Sequence, residues 1–156
     1  MRKVALLHDI RSAYNVGSIF RTADAAGIQK LYLCGITPDP VDRFGREVSK
    51  ISKVALGAEK TVPWRHYAST VRCIAFLKKQ GYRVLAIERN RNSVPYTSVS
   101  IHQGEKIALV FGNEIQGLSP SILERADAIL EIPMRGDKES LNVAVAFGIA
   151  AYRLIA

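Results

Sequence analysis

Short apolar runs alternating with amphipathic segments predict an α/β fold, a mostly parallel sheet flanked by helices. Three observations carry that expectation. Residues 107–111 are apolar at every position, as a strand covered on both faces requires. Val16, Ile19, Phe20 and Ala23 recur at helical spacing directly after an apolar strand candidate. Gly27, Gly57 and Gly81 then fall where successive helical segments must stop and turn back. At 156 residues the chain has the size of one domain, 1–156, large enough to bury a core.

The elements follow in order. Residues 4–7 (VALL) read as a short buried strand, followed by the helix ending at Gly27. A second strand is expected over 31–34. Val48, Ile51 and Ala55 outline a short basic helix stopping near Gly57. Tyr67, Val71, Ile74 and Leu77 outline a longer one, with Lys78 and Lys79 in its last turn and Gly81 beyond. Strands are expected over 82–87 and 107–111. Pro120 can open a short helix through Arg125, and a last strand over 129–132 precedes a last helix over 140–155. In that helix Leu141, Val145, Gly148 and Tyr152 mark the expected packed stripe, with Ser140 as a plausible cap. The segments 38–45 and 90–104 read as loops. In parallel sheets ligands gather where strands end and helices begin, which directs attention to the loops after Ile87, Phe111 and Ile132.

Composition narrows the class. Hydrophobic residues make up 48% of the chain, which excludes a disordered polymer. Lys and Arg outnumber Asp and Glu by 22 to 14, a formal charge of +8 that favours a polyanionic partner, most often nucleic acid. Cys34 and Cys73 form no CxxC pair, and His8, His66 and His102 are scattered, so no metal site is expected. Two free thiols suit a reducing cytoplasm. The apolar residues after Arg2 and Lys3 end at His8, too soon for a signal-peptide core, and no run approaches a membrane span. A soluble, cytoplasmic protein is the expectation.

Three runs place polar side chains among glycines and small residues: 15–21 (NVGSIFR), 111–119 (FGNEIQGLS) and 140–143 (SLNV). The middle one imitates a P-loop but has Leu118 in place of the phosphate-binding lysine, which argues against nucleotide hydrolysis. GxGxxG and GxSxG are both absent, so neither a dinucleotide site nor a hydrolase elbow is supported. What remains is a glycine-bracketed turn carrying Asn113 and Glu114, whose ordinary alternative is a plain strand-to-helix turn. Asn15 could likewise cap a helix, and Arg21 could pair with Asp24 on its surface. Gly17, Ser18, Thr22 and Ala25 form a small-residue face that another helix can approach closely.

In this order the three runs resemble the three motifs of the SpoU/TrmH-type RNA ribose 2'-O-methyltransferases of the SPOUT superfamily. Residues 54–59 and 62–64 are similar to connecting segments of that family. The resemblance implies a C-terminal trefoil knot and an S-adenosylmethionine pocket built by Ile87, Gly112, Gly117, Ile132 and Leu141. It implies Arg21 as the key catalytic residue, with Asn15, Glu114, Ser140 and Asn142 completing the site. It implies a homodimer with the active site shared across the interface, to which the Gly17–Ser18 face and the last helix would contribute. Ala144 departs from the pattern, where the family often has serine. No appended RNA-binding domain is expected, so the grip on tRNA or rRNA is assigned to Arg43, Arg46, Lys50, Lys53, Lys60 and Arg65. The alternative is a non-catalytic RNA-binding or scaffolding protein that retains the fold.

Overall fold

A computed structural model describes residues 2–156. In chain order the elements are β1 (Arg2–His8), α1 (Ala13–Ala25), β2 (Lys30–Cys34), α2 (Ser49–Ala55), α3 (Ala58–Thr61), β3 (Trp64–Tyr67), α4 (Thr70–Lys79), β4 (Arg83–Ile87), β5 (Val94–Pro95), a 3-10 turn (Tyr96–Ser98), β6 (Lys106–Phe111), α5 (Pro120–Leu123), β7 (Ala128–Glu131) and α6 (Val143–Leu154). The seven strands form one sheet, β3-β2-β1-β6-β4-β7-β5, in which every pairing is parallel.

Alternation along the central strands sorts side chains into two cores. Ala5, Leu7, Leu85, Leu109 and Phe111 face one side, where α1, α2 and α6 cover them with Ile19, Phe20, Ile51, Phe147 and Ala151. Val4, Leu6, Val84, Ala86, Ala108 and Val110 face the other, under Ile74 and Leu77 of α4 and Ile122 of α5. Strands with both faces buried need apolar residues at every position, which is why 4–7 and 107–111 read as continuous runs.

Several expectations change at the element ends. Tyr67 belongs to β3, not α4: it pairs with Cys34 in the parallel ladder, and the Ser69 hydroxyl caps α4 by accepting from the Arg72 N–H at 3.3 Å. β3 and β5 escape the periodicity because they are short edge strands, with Arg65 and His66 exposed in the first and both residues exposed in the second. β7 ends at Glu131, placing Ile132 just beyond it. α6 begins at Val143, and its cap is Asn142, whose Oδ1 accepts from the N–H groups of Ala144 and Val145. The packed stripe of α6 is Val143, Phe147, Ala150, Ala151 and Leu154; Leu141, Val145 and Tyr152 are exposed instead.

Gly17 is also corrected. It faces α2 of its own chain, and a Cβ there would lie 2.6 Å from the Ile51 carbonyl oxygen and 3.1 Å from Val54 Cβ. Alanine would gain about 1 kcal/mol of helix propensity, but overpacking a backbone contact costs about 1–3 kcal/mol. Gly17→Ala is therefore expected to lower the urea midpoint without changing the slope, and a raised midpoint would refute this contact.

Candidate active site

Because the strands are parallel, their carboxyl ends share one rim. The loops after β4, β6 and β7 and the start of α6 enclose a cavity of about 660 Å³ there. Ile87, Gly112, Gly117, Ile132 and Leu141 all line it, together with Leu118, Val143 and Ser140. One wall is the turn after β6. Asn113 and Gly117 close it as a bridge, with the Gly117 N–H donating to the Asn113 carbonyl at 2.9 Å. The buried Asn113 amide makes three hydrogen bonds that hold this turn and tie it to the end of β1. Its Nδ2 donates to the Asp9 carbonyl at 2.7 Å, and its Oδ1 accepts from the N–H groups of Ile115 and Gln116 at 2.9 Å.

Glycine is required twice in that wall. At Gly112 a Cβ would sit 2.6 Å from the carbonyl carbon of Gly117. Gly117 has φ +65°, and a Cβ there would run into the Glu88 carboxylate. Glu88, which no motif pointed to, fastens the turn to β4. Its Oε2 accepts from the Leu118 N–H and its Oε1 from the Arg89 N–H, both at 2.9 Å. The only sequence signal was an acid immediately after an apolar strand, at the rim where ligands gather.

Beside the cavity lies a chain of polar side chains drawn from distant parts of the sequence. Asn142 Nδ2 donates to Asn15 Oδ1 at 3.1 Å, and Asn15 Nδ2 donates to Glu114 Oε1 at 3.3 Å. Glu114 also accepts from the backbone N–H groups of Arg11 at 3.2 Å and Ser12 at 3.3 Å. Partial burial pushes its carboxyl up, but backbone donors at Glu114, Arg11 and Ser12 and the Asn15 amide outweigh that and hold it below the usual glutamate value. Glu114 is thus a fixed anion at neutral pH. Asn15 does not cap α1; Ser12 does, accepting from the Asn15 N–H at 3.2 Å.

Arg21 stands apart from this cluster. It lies on α1 six residues past Asn15, roughly 9 Å along the axis and on another side of the helix. It is exposed and borders a separate depression with Asp24, Leu56, Gly57 and Thr61. Among the described residues no acid forms an ion pair with it, and Asp24 accepts the Thr61 hydroxyl at 3.2 Å instead.

The six nominated cations spread from the β2–α2 loop to β3. Arg46 pairs with Asp42 at 2.8 Å and Lys60 pairs with Glu47, while Lys50 and Lys53 are exposed on α2. The Arg65 guanidinium lies 5.1 Å from the centre of the Tyr67 ring. Among the described residues no group of His, Cys, Asp and Glu could hold a metal ion, and no helix is long and apolar enough to cross a membrane.

Residues 2–152, which contain the cavity walls, the polar chain and Arg21, match the SpoU rRNA Methylase family. The chain belongs to that family. The 23S rRNA (guanosine(2553)-2'-O)-methyltransferase of Bacillus subtilis is 36% identical over 155 residues, covering 98% of this chain and 58% of the relative. The tRNA (guanosine(18)-2'-O)-methyltransferase of Aquifex aeolicus is 31% identical, covering 96% of this chain and 66% of the relative. Among solved structures, the AdoMet-bound rRNA methyltransferase from Sinorhizobium meliloti superposes with a TM-score of 0.86 at 30% identity, covering 97% of this chain and 55% of that one. The chain therefore spans between half and two thirds of the length of these SpoU relatives. The parallel α/β sheet expected from the sequence is the fold that these SpoU neighbours share.

Proposed function

We propose that this chain is the catalytic unit of an S-adenosylmethionine-dependent methyltransferase acting on ribose 2'-hydroxyls of tRNA or rRNA in the cytoplasm. The observation that carries this reading is the meeting, on one rim, of a glycine-walled cavity with the Asn142–Asn15–Glu114 chain. The cavity suits the cofactor: its volume lies within the range of small-molecule sites, and Ile87, Ile132 and Leu141 offer apolar walls for a purine. The turn from Gly112 to Gly117 lines the cavity and brings backbone polar groups to its wall, where they can face the purine edge. S-adenosylmethionine, when bound, supplies an electrophilic methyl group.

The protein's own residues would hold the ribose hydroxyl in line with that group. Arg21 is a guanidinium, which does not deprotonate near neutral pH, so its role is to grip the phosphate beside the target ribose. Glu114, Asn15 and Asn142 form a pre-oriented acceptor and donor set, with Ser140 at the cavity edge. The donors that keep Glu114 ionised make it a weak base, so it orients rather than deprotonates.

Arg21 faces away from its own polar chain, which supports a site completed by a second copy. Tyr14 on α1 and Val145 and Tyr152 on α6 leave large apolar side chains exposed, as a paired face would. Loops from three strands and the α6 entry sharing one cavity also accord with the knotted C-terminus that the resemblance implies. Incubation with methyl-labelled S-adenosylmethionine and unmodified total RNA, followed by digestion to nucleosides, tests the reading. A labelled 2'-O-methylnucleoside is expected. Label on a base, or none despite bound cofactor, would overturn it.

A further inference from the structure

The loop between β2 and α2 presents an aromatic ring that the catalytic reading leaves unused. Phe44 is 66% exposed, yet the turn that carries it is firmly held. Asp42 Oδ1 accepts from the backbone N–H groups of Phe44 at 2.8 Å and Arg46 at 3.0 Å, while Oδ2 takes the Arg46 Nε at 2.8 Å. The Asp42 N–H donates to the Arg46 carbonyl at 2.8 Å, and the Gly45 N–H to the Asp42 carbonyl at 3.0 Å. Val41 and Glu47 close the base of the turn as an antiparallel bridge. Two guanidiniums flank the ring, Arg43 at 4.7 Å and Arg46 at 4.9 Å from its centre.

We propose that Arg43, Phe44 and Arg46 form a stacking platform for one unpaired base of the RNA, outside the methyl-transfer cavity. This rests on the reading of RNA as substrate and adds that the recognised segment contains a splayed-out nucleotide. A ring and guanidinium groups held in a rigid turn provide the π surface on which any base can stack. Arg43, which forms no ion pair among the described residues, leaves a positive charge there for a flanking phosphate, while Arg46 is pinned by Asp42. Lys50 and Lys53, exposed on the following helix, extend the positive track. The platform leaves the carboxyl end of β2, on the rim that holds the cavity. Only β1 separates β2 from β6, which places the two loop origins roughly 10 Å apart across the sheet. Charge argues against a second copy as the occupant, because each copy carries a formal +8 and would meet this patch with like charge.

The test compares binding of the full chain to a short RNA stem-loop and to a blunt RNA duplex of matched length, by fluorescence anisotropy at one fixed salt concentration. Wild type is expected to prefer the stem-loop. Phe44→Ala and Phe44→Leu should each lose roughly 5- to 150-fold in stem-loop affinity, with duplex affinity unchanged, because leucine keeps the apolar surface but not the π face. Phe44→Trp should retain the preference. Stem-loop binding unchanged in Phe44→Ala would overturn the platform and leave the RNA reading standing. An equal loss on both RNAs would make Phe44 a support of the loop rather than a stacking surface, which also overturns it. Failure of the wild type to bind either RNA would defeat the substrate reading itself, and the platform with it.

Discussion

Arg21→Ala is expected to abolish methyl transfer while leaving S-adenosylmethionine affinity within a few-fold of wild type. Arg21 does not border the cavity that would hold the cofactor, and it is absent from the hydrogen bonds that shape the turn at Gly112 and Gly117. Its removal therefore leaves that wall intact. What it removes is a bidentate cation with no acid of its own to neutralise it among the described residues, on a helix whose first turn carries Asn15. Losing one such orienting and charge-stabilising contact costs on the order of 10²–10³ in rate, and more where alignment of the attacking oxygen depends on it. Arg21→Lys should recover only part of the loss, since an ammonium keeps the charge but not the planar fork. Single-turnover transfer measured beside calorimetric cofactor titration decides the matter. Parallel loss of transfer and cofactor binding would make Arg21 a structural residue.

The sequence could have revealed that Arg21 and Asn15 do not meet within one chain. Six residues along a helix turn the side chain through roughly 240° net of a full revolution, so the two had to face different sides. Central strands were legible because burial on both faces demands unbroken apolar runs. β3 was not, since Arg65 and His66 at the sheet edge break the pattern, and Tyr67 falls by coincidence in helical phase with Val71 and Ile74. α6 misled for the opposite reason. Val143 to Ala151 carries no charged residue, so two apolar stripes fit the same helix, and periodicity alone cannot tell which one meets the core. In the site, Asn15, Glu114 and Asn142 stood out as polar residues among small ones, and the structure joins them. Glu88 and Phe44 act through what folds against them, the Leu118 N–H for one and two guanidiniums for the other, and isolated residues leave no motif to read.

Gly112→Ala is expected to produce the complementary defect, a loss of cofactor binding in a protein that still folds. The added methyl would lie 2.6 Å from the Gly117 carbonyl carbon and 2.8 Å from the Leu118 nitrogen, both backbone atoms that cannot rotate aside. The turn has to open, weakening the Asn113–Gly117 bridge and the Leu118 N–H bond to Glu88 that together form the cavity wall. Overpacking of this kind costs about 1–3 kcal/mol, less than the 5–15 kcal/mol stability typical of a domain, so the chain stays folded. If the turn's lost stability falls on the bound state, affinity drops by roughly 5- to 150-fold. Gly136→Ala, where a Cβ meets nothing within 4 Å, should bind as wild type does. Unchanged affinity in Gly112→Ala would remove the cavity from consideration as the cofactor site. The two defective proteins also test each other. One keeps the cavity without the arginine, the other the arginine without the cavity. If Arg21 serves the cavity of a second copy, mixing them rebuilds one intact site in each mixed pair and restores up to about a quarter of wild-type turnover by random pairing. If Arg21 serves its own chain, the mixture gains nothing over its two components at a cofactor concentration too low to fill Gly112→Ala, and the shared-site dimer is wrong.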